Sequence, residues 1–154
     1  MDLIDRKILV ALQADATLSI QQVADRVGLS QTPCWKRIQK LEQTGVIRRR
    51  VAIVDPAALG LGLSVFVAIT TDDHSPGWRD RFAEVVTALP EVMDFYRMAG
   101  EVDYLLRAVV RDMATYDTFY KRLTGAIPIK IVTSTFAMET IKSTTALPVD
   151  TTTR

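Results

Sequence analysis

One cysteine and one histidine in 154 residues leave this chain little covalent or metal chemistry. A lone cysteine excludes a disulfide within the chain, and one cysteine with one histidine cannot supply the four ligands of a zinc finger. Charge of one sign is not in excess either: 19 basic and 18 acidic side chains give a net +1. No apolar run approaches the ~20 residues of a membrane-spanning helix. The opening Met1-Asp2-Leu3-Ile4-Asp5-Arg6-Lys7 lacks the basic and apolar regions of a secretory signal. A reducing cytoplasm is the expected compartment, with no membrane partner. Repeats and low-complexity tracts are missing too. What is there is 48% hydrophobic residues, enough for cores in two small domains.

The near-neutral total hides an asymmetry. Residues 1–50 carry nine Lys or Arg against five acidic side chains, +4, whereas residues 51–154 carry ten against thirteen, −3. Between residues 26 and 50 there are seven basic residues, and Glu42 alone has the opposite sign. One half suits a polyanion and the other does not.

The basic half reads as short helices. Asp2 can cap a first helix in which Ile4, Ile8, Leu9 and Leu12 repeat at helical spacing. Ser19 stands three residues before Gln22, the spacing of a capping box, so a second helix starts at Ile20. Val23, Ala24 and Val27 share one face of it, and Gly28 supplies the left-handed residue that ends it. Ser30 can cap a third helix, with Pro33 in its first turn and Cys34, Ile38 and Leu41 as the inward stripe before Gly45. Ile8, Leu12, Ile20, Val23, Val27, Leu29, Ile38, Leu41 and Ile47 would close a small core, and Val46 to Val54 reads as a strand returning along it as a wing. Two helices joined by a tight Gly-containing turn make a helix-turn-helix. Ser30, Gln31, Thr32, Lys36, Arg37 and Lys40 occupy the outer face of the third helix, followed by Arg48, Arg49 and Arg50. Such a helix suits the major groove of double-stranded DNA, with polar tips at base edges and cations on phosphates.

Asp55-Pro56-Ala57-Ala58-Leu59-Gly60-Leu61-Gly62 marks the boundary. The expected division is a helix-turn-helix domain at 1–50, a linker strand or hinge at 51–62, a second domain at 63–150 and a tail at 151–154. Past the boundary the period switches to 2: Leu63, Val65, Val67 and Ile69 alternate with Ser64, Phe66, Ala68 and Thr70. Ser75-Pro76 opens a helix carrying Trp78, Phe82, Val85, Val86 and Leu89. Glu91 to Ala99 and Asp103 to Val110 read as a hairpin through Gly100-Glu101-Val102. Asp112 caps a helix with Met113, Tyr116, Phe119, Tyr120 and Leu123 on its buried side, and Ile129 to Thr140 is a last strand rich in β-branched residues. The fold class is therefore α+β: a winged helix-turn-helix followed by a ferredoxin-like βαββαβ domain.

A helix-turn-helix ending in Arg-Ile-Gln-Lys-Leu-Glu-Gln-Thr-Gly-Val-Ile (37–47), then a split βαββαβ domain containing Gly-Glu-Val-Asp-Tyr-Leu-Leu (100–106), resembles the Lrp/AsnC family of feast/famine transcription regulators over essentially the whole chain. Three segments, 30–37, 96–101 and 133–142, are similar to those of the family's cysteine-responsive members. The resemblance implies a homodimer formed through the sheet, assembly of dimers up to octameric rings, and a small amino-acid effector, with cysteine as the first candidate, bound where dimers meet. It also implies that the Gly100-Glu101-Val102-Asp103 loop and the strand residues Thr133, Ser134 and Thr135 line the effector site. The residue chemistry is compatible, since Gly100 permits close backbone approach, Asp103 can accept from a ligand ammonium, and the hydroxyls add further partners. An acidic residue opening an apolar strand needs some partner.

Other chemistry is thin. Cys34 reads as a small core residue, with an oxidant-sensing thiolate as its alternative. Trp35 adjoins the same stripe and reads as packing. His74, beside Asp72 and Asp73, has no companion ligand for a metal. Gly60-Leu61-Gly62 reaches Val65 where a dinucleotide fingerprint requires its third glycine. No catalytic residues, metal site or cofactor are expected. Two other readings stay open: a nucleoid-organising DNA-binding protein with little effector response, and a ferredoxin-like metabolite-binding module or small enzyme.

Overall fold

A computed structural model describes residues 1–152, and the chain divides into two compact units. The first comprises Met1–Ile53 and the chain from Ile141 onward, and the second comprises Val54–Thr140.

In the first unit α1 (Leu3–Ala14), α2 (Ile20–Val27) and α3 (Gln31–Gln43) enclose one core. Asp2 and Asp5 form a reciprocal capping box at α1, and Ser19 and Gln22 form another at α2. Gly28, at φ 73°, ends α2 in the left-handed region, which aims the chain into α3 within three residues. Ile8, Val23, Ala24, Cys34 and Ile38 are essentially inaccessible, and Ile20, Leu29 and Ile47 pack at the margin. Two expectations fail here. Ser30 occupies the N-cap position of α3, but its side chain makes no capping bond. Val46 to Val54 forms no strand, because among the described residues of this unit there is no second strand to pair with it; the wing is a loop. The sequence also assigns the chain up to residue 150 to the second domain. In the structure the Gln13 carboxamide donates to Leu147 O at 3.1 Å and accepts from Leu147 N at 2.7 Å, fastening this segment to α1. Of the expected tail, Thr151 and Thr152 are described, with the Asp150 carboxylate accepting from Thr152 N; residues 153 and 154 lie outside the described residues.

The second unit begins with a 3-10 turn at Ala57–Leu59. It then builds β1 (Leu63–Thr70), α4 (Pro76–Thr87), β2 (Val92–Arg97), β3 (Tyr104–Val110), α5 (Met113–Ala126) and β4 (Ile131–Phe136). The sheet is antiparallel throughout, in the order β2-β3-β1-β4. Ser75 caps α4 by accepting from Trp78 N, and Asp112 caps α5 by accepting from Thr115 N. Val65, Val67 and Ile69 of β1, with Tyr104, Leu106, Ala108 and Val110 of β3, form the face covered by α4 and α5, where Phe82, Val86, Phe119 and Leu123 are buried. The opposite face carries Phe66, Ala68, Leu105, Arg107, Val109, Thr133 and Thr135, and no helix among the described residues lies over it. Met113, expected inside, is 57% exposed in the first turn of α5. The last strand is six residues long rather than twelve, Ile131–Phe136, paired with Thr70 to Val65 of β1, and Ala137 N adds one further bond to Ser64 O.

Candidate functional site

Because the core of the first unit is filled from inside, α3 turns a polar face outward. Gln31, Thr32, Lys36 and Lys40 are exposed along it, and Ser30 is exposed just before it. Arg48 and Arg49 are exposed in the loop that follows. Arg37 is placed differently. Its Nη1 lies 2.7 Å from Asp2 Oδ2 and 2.7 Å from Asp5 Oδ1, so it ties the middle of α3 to the first turn of α1. The Asp5 amide and then the Arg37 guanidinium hold the Asp2 carboxyl below the ordinary carboxylate range, and Arg37 is raised in return. Arg50 is likewise occupied, its Nη2 3.0 Å from Glu42 Oε1. The nine residues picked from sequence therefore separate into seven that are exposed with no ion pair assigned and two, Arg37 and Arg50, engaged within the protein.

Sequence reasoning missed two features of this face. Asp2 was legible as a cap, but neither it nor Asp5 as a partner of an arginine 32 to 35 residues away. Trp35, expected as packing, is 48% exposed and lies off the buried stripe; with Ile20, Gln31 and Thr32 it lines a shallow notch. Cys34, one residue earlier, is inaccessible, and burial pushes its thiol up from the usual value, the opposite of an activated thiolate.

In the second unit the β2–β3 connection brings Gly100, at φ 146°, to the end of the sheet where β1 stops and β4 starts. Asp103 N donates to Ile69 O at 2.9 Å, and Asp103 Oδ2 accepts from Thr71 N at 2.9 Å. His74 Nδ1 stands 3.8 Å from Asp103 Oδ1. The acidic residue thus has its partner in the backbone of the β1–α4 loop, and one carboxylate oxygen remains toward His74. Glu101 is exposed and Val102 half-buried. The strand hydroxyls do not form one group: Thr133 and Thr135 are exposed on the open face, while Ser134 faces α5 and accepts from the Tyr116 hydroxyl. Strand β1 lies between β3 and β4, so Asp103 and Thr133 are not on neighbouring strands.

A cationic helix presented by a three-helix unit, followed by a ferredoxin-like unit with one bare sheet face, defines a class: DNA-binding regulators that pair a helix-turn-helix with a ligand-binding domain. Residues 1–48 match the model of a winged helix-turn-helix DNA-binding domain, and residues 64–147 match the Lrp/AsnC ligand binding domain. The chain is 54% identical to the DNA-binding transcriptional activator DecR of Escherichia coli K12, over 97% of its own length and 99% of that protein. The solved AsnC family transcriptional regulator from Agrobacterium tumefaciens is 59% identical with a TM-score of 0.94, covering 96% of this chain and 97% of that one. A transcriptional regulator from Neisseria meningitidis in complex with L-Met is 34% identical with a TM-score of 0.91, covering 96% of each chain. The chain belongs to the Lrp/AsnC family and is a DNA-binding transcription regulator. No helix among the described residues is long and apolar enough to cross a membrane.

Proposed function

We propose that this regulator reads DNA through α3 as a dimer, in the cytoplasm and without catalytic activity of its own, and that a free amino acid tunes its binding. The observation that carries the reading is the exposed row of Lys36 and Lys40 on a helix whose inner face is fully spent on the core. In this reading Ser30, Gln31 and Thr32 approach base edges, while Lys36, Lys40, Arg48 and Arg49 contact phosphates. Arg37 and Arg50 keep the helix and the following loop in place. Two α3 helices of a dimer enter successive major grooves about one helical turn apart.

The effector site is assigned to the Gly100–Asp103 loop, completed by Thr133 and Thr135 of a neighbouring subunit. Asp103 supplies the charge for a ligand ammonium through the carboxylate oxygen left toward His74, and Gly100 permits close approach of the ligand to the loop backbone. Ser134 is left out, because its hydroxyl is engaged by Tyr116. A ligand that binds one assembly more tightly than another shifts the population competent for DNA. The resemblance to cysteine-responsive members and the L-Met complex of the Neisseria relative both support an amino acid of modest size.

Thermal melts of the full chain against the twenty amino acids test this. At least one amino acid is expected to raise the melting temperature and to change affinity for a DNA fragment selected by the protein from a random duplex library. Asp103→Asn keeps an acceptor for Thr71 N but removes the charge, so it should abolish that response and leave basal DNA binding intact. A full response in Asp103→Asn sinks the site assignment; silence to all twenty amino acids sinks the effector.

A further inference from the structure

The notch beside α3 is not accounted for by phosphate contact. Trp35 stands nearly half exposed on a helix whose core side is complete without it. Ile20, the first residue of α2, closes one wall; Gln31 and Thr32, one turn earlier on α3, close the others, around a space of ≈ 270 Å³. Lys36 follows Trp35 directly, and Lys40 lies one turn further along the same exposed face. An apolar hollow set among cations on the helix that meets DNA invites the one apolar group that base edges offer in the major groove, the 5-methyl of thymine. Stacking is not the natural use of this indole, since a duplex keeps its base faces covered and shows only edges.

We propose that Trp35 and Ile20 form a thymine-reading notch, receiving the 5-methyl group in the major groove while Gln31 and Thr32 face the polar edge of the same or the adjoining base pair. The proposal rests on α3 being the element that enters the groove. A Gln side chain can pair with adenine N6 and N7, so the notch and Gln31 together favour a step containing T·A pairs. It makes Trp35 a specificity-determining residue rather than an affinity residue.

The test uses the full-length protein and a duplex recovered by selection from a random library, remade with each thymine replaced in turn by uracil, which lacks only the methyl group. Fluorescence anisotropy of the parent protein should show an affinity loss of about fourfold, the worth of one buried methyl, at one or two positions per half-site. Trp35→Ala should bind the thymine and uracil probes alike, with an unchanged melting temperature and an unchanged salt slope. Trp35→Phe should keep part of the discrimination. If no uracil replacement affects the parent, or if Trp35→Ala discriminates as the parent does, the notch does not read thymine. A lower melting temperature for Trp35→Ala would make the indole a packing residue. A loss confined to single-stranded probes would make it a stacking platform, and a change in oligomer mass would make it a protein contact; each overturns the proposal. Lys36→Ala and Lys40→Ala separate the two levels. If both leave affinity untouched, α3 is not the groove element; if they weaken binding while uracil is silent, only the notch falls.

Discussion

Lys36 and Arg37 are adjacent on α3 and carry the same charge, yet their surroundings assign them opposite tasks. Lys36 projects from an exposed position, whereas Arg37 is split between two carboxylates of α1. The Arg37 side chain is 34% exposed and Asp5 16%, so the pair is partly shielded, and the tie is weaker than that of a fully buried pair. A phosphate contact registers differently, as roughly 0.9 in the slope of log affinity against log salt. Lys36→Ala should therefore lower that slope by about one and leave the melting temperature unchanged. Arg37→Ala should lower the melting temperature and leave the slope unchanged. Binding titrations from about 50 to 200 mM KCl beside thermal melts read both, and a reduced slope for Arg37→Ala would mean that the guanidinium leaves the aspartates for DNA.

At the level of elements, what could be read from sequence was what is local. The Asp2 cap of α1, the capping box of α2, the left-handed Gly28, and the caps of α4 and α5 depend on residues within four positions, and each stands where its spacing put it. What depends on a distant partner was not legible. The β-branched run after Ile129 pairs with β1 only from Ile131 to Phe136, Val46 to Val54 forms no strand, and Ser134 is separated from its Thr neighbours by the pleat. Trp35 escaped for a related reason, since one residue of helix turns 100° and takes it off the stripe of Cys34. The caps also set the acid behaviour. Asp2 is depressed by the Asp5 amide first and Arg37 second, and Asp112 by the Thr115 amide and hydroxyl. A carboxyl with a lowered folded-state pKa contributes stability that is complete above its unfolded value of 3.8 and is lost as pH falls through the lower folded value. Melting temperature should thus hold from neutrality to about pH 4 and fall below it. Asp2→Asn keeps a cap acceptor but cannot ionise, so its melting curve should fall less steeply below pH 4 than the parent's. Circular dichroism melts from pH 7 to 2 measure the difference, and parallel acid limbs would rule out Asp2 as a contributor.

For the molecule as a whole the decisive feature is the sheet face that α4 and α5 leave bare. Across it run two rows in register: Tyr96, Leu105, Ala68 and Thr133, then Asp94, Arg107, Phe66 and Thr135. Phe66 is 39% exposed at the centre, and Arg107 Nε meets Asp94 Oδ2 at 2.6 Å beside it, so even the charged row is neutralised. An antiparallel sheet covered on one side only is stable with a polar outer face, whereas half of this one is apolar, with Tyr96, Leu105, Ala68 and Phe66 set among two threonines and the Asp94–Arg107 pair. A second copy brings a face of the same composition, with its own neutral pair, and a two-fold arrangement lets each cover the other. On the proposed reading DNA binding is then bivalent: with one α3 docked, the other would meet its half-site at an effective concentration near the millimolar range, raising affinity by about 10²–10⁴ over a single helix-turn-helix. Phe66→Asp places a charge at the centre of the face without touching the helix-side core. The variant should keep its circular dichroism spectrum, elute as a monomer with light-scattering detection, and lose at least a hundredfold in affinity for a two-half-site duplex while binding a single half-site as the parent does. A Phe66→Asp protein that retains the parent's mass would place the subunit contact elsewhere, and the bare face would need another occupant.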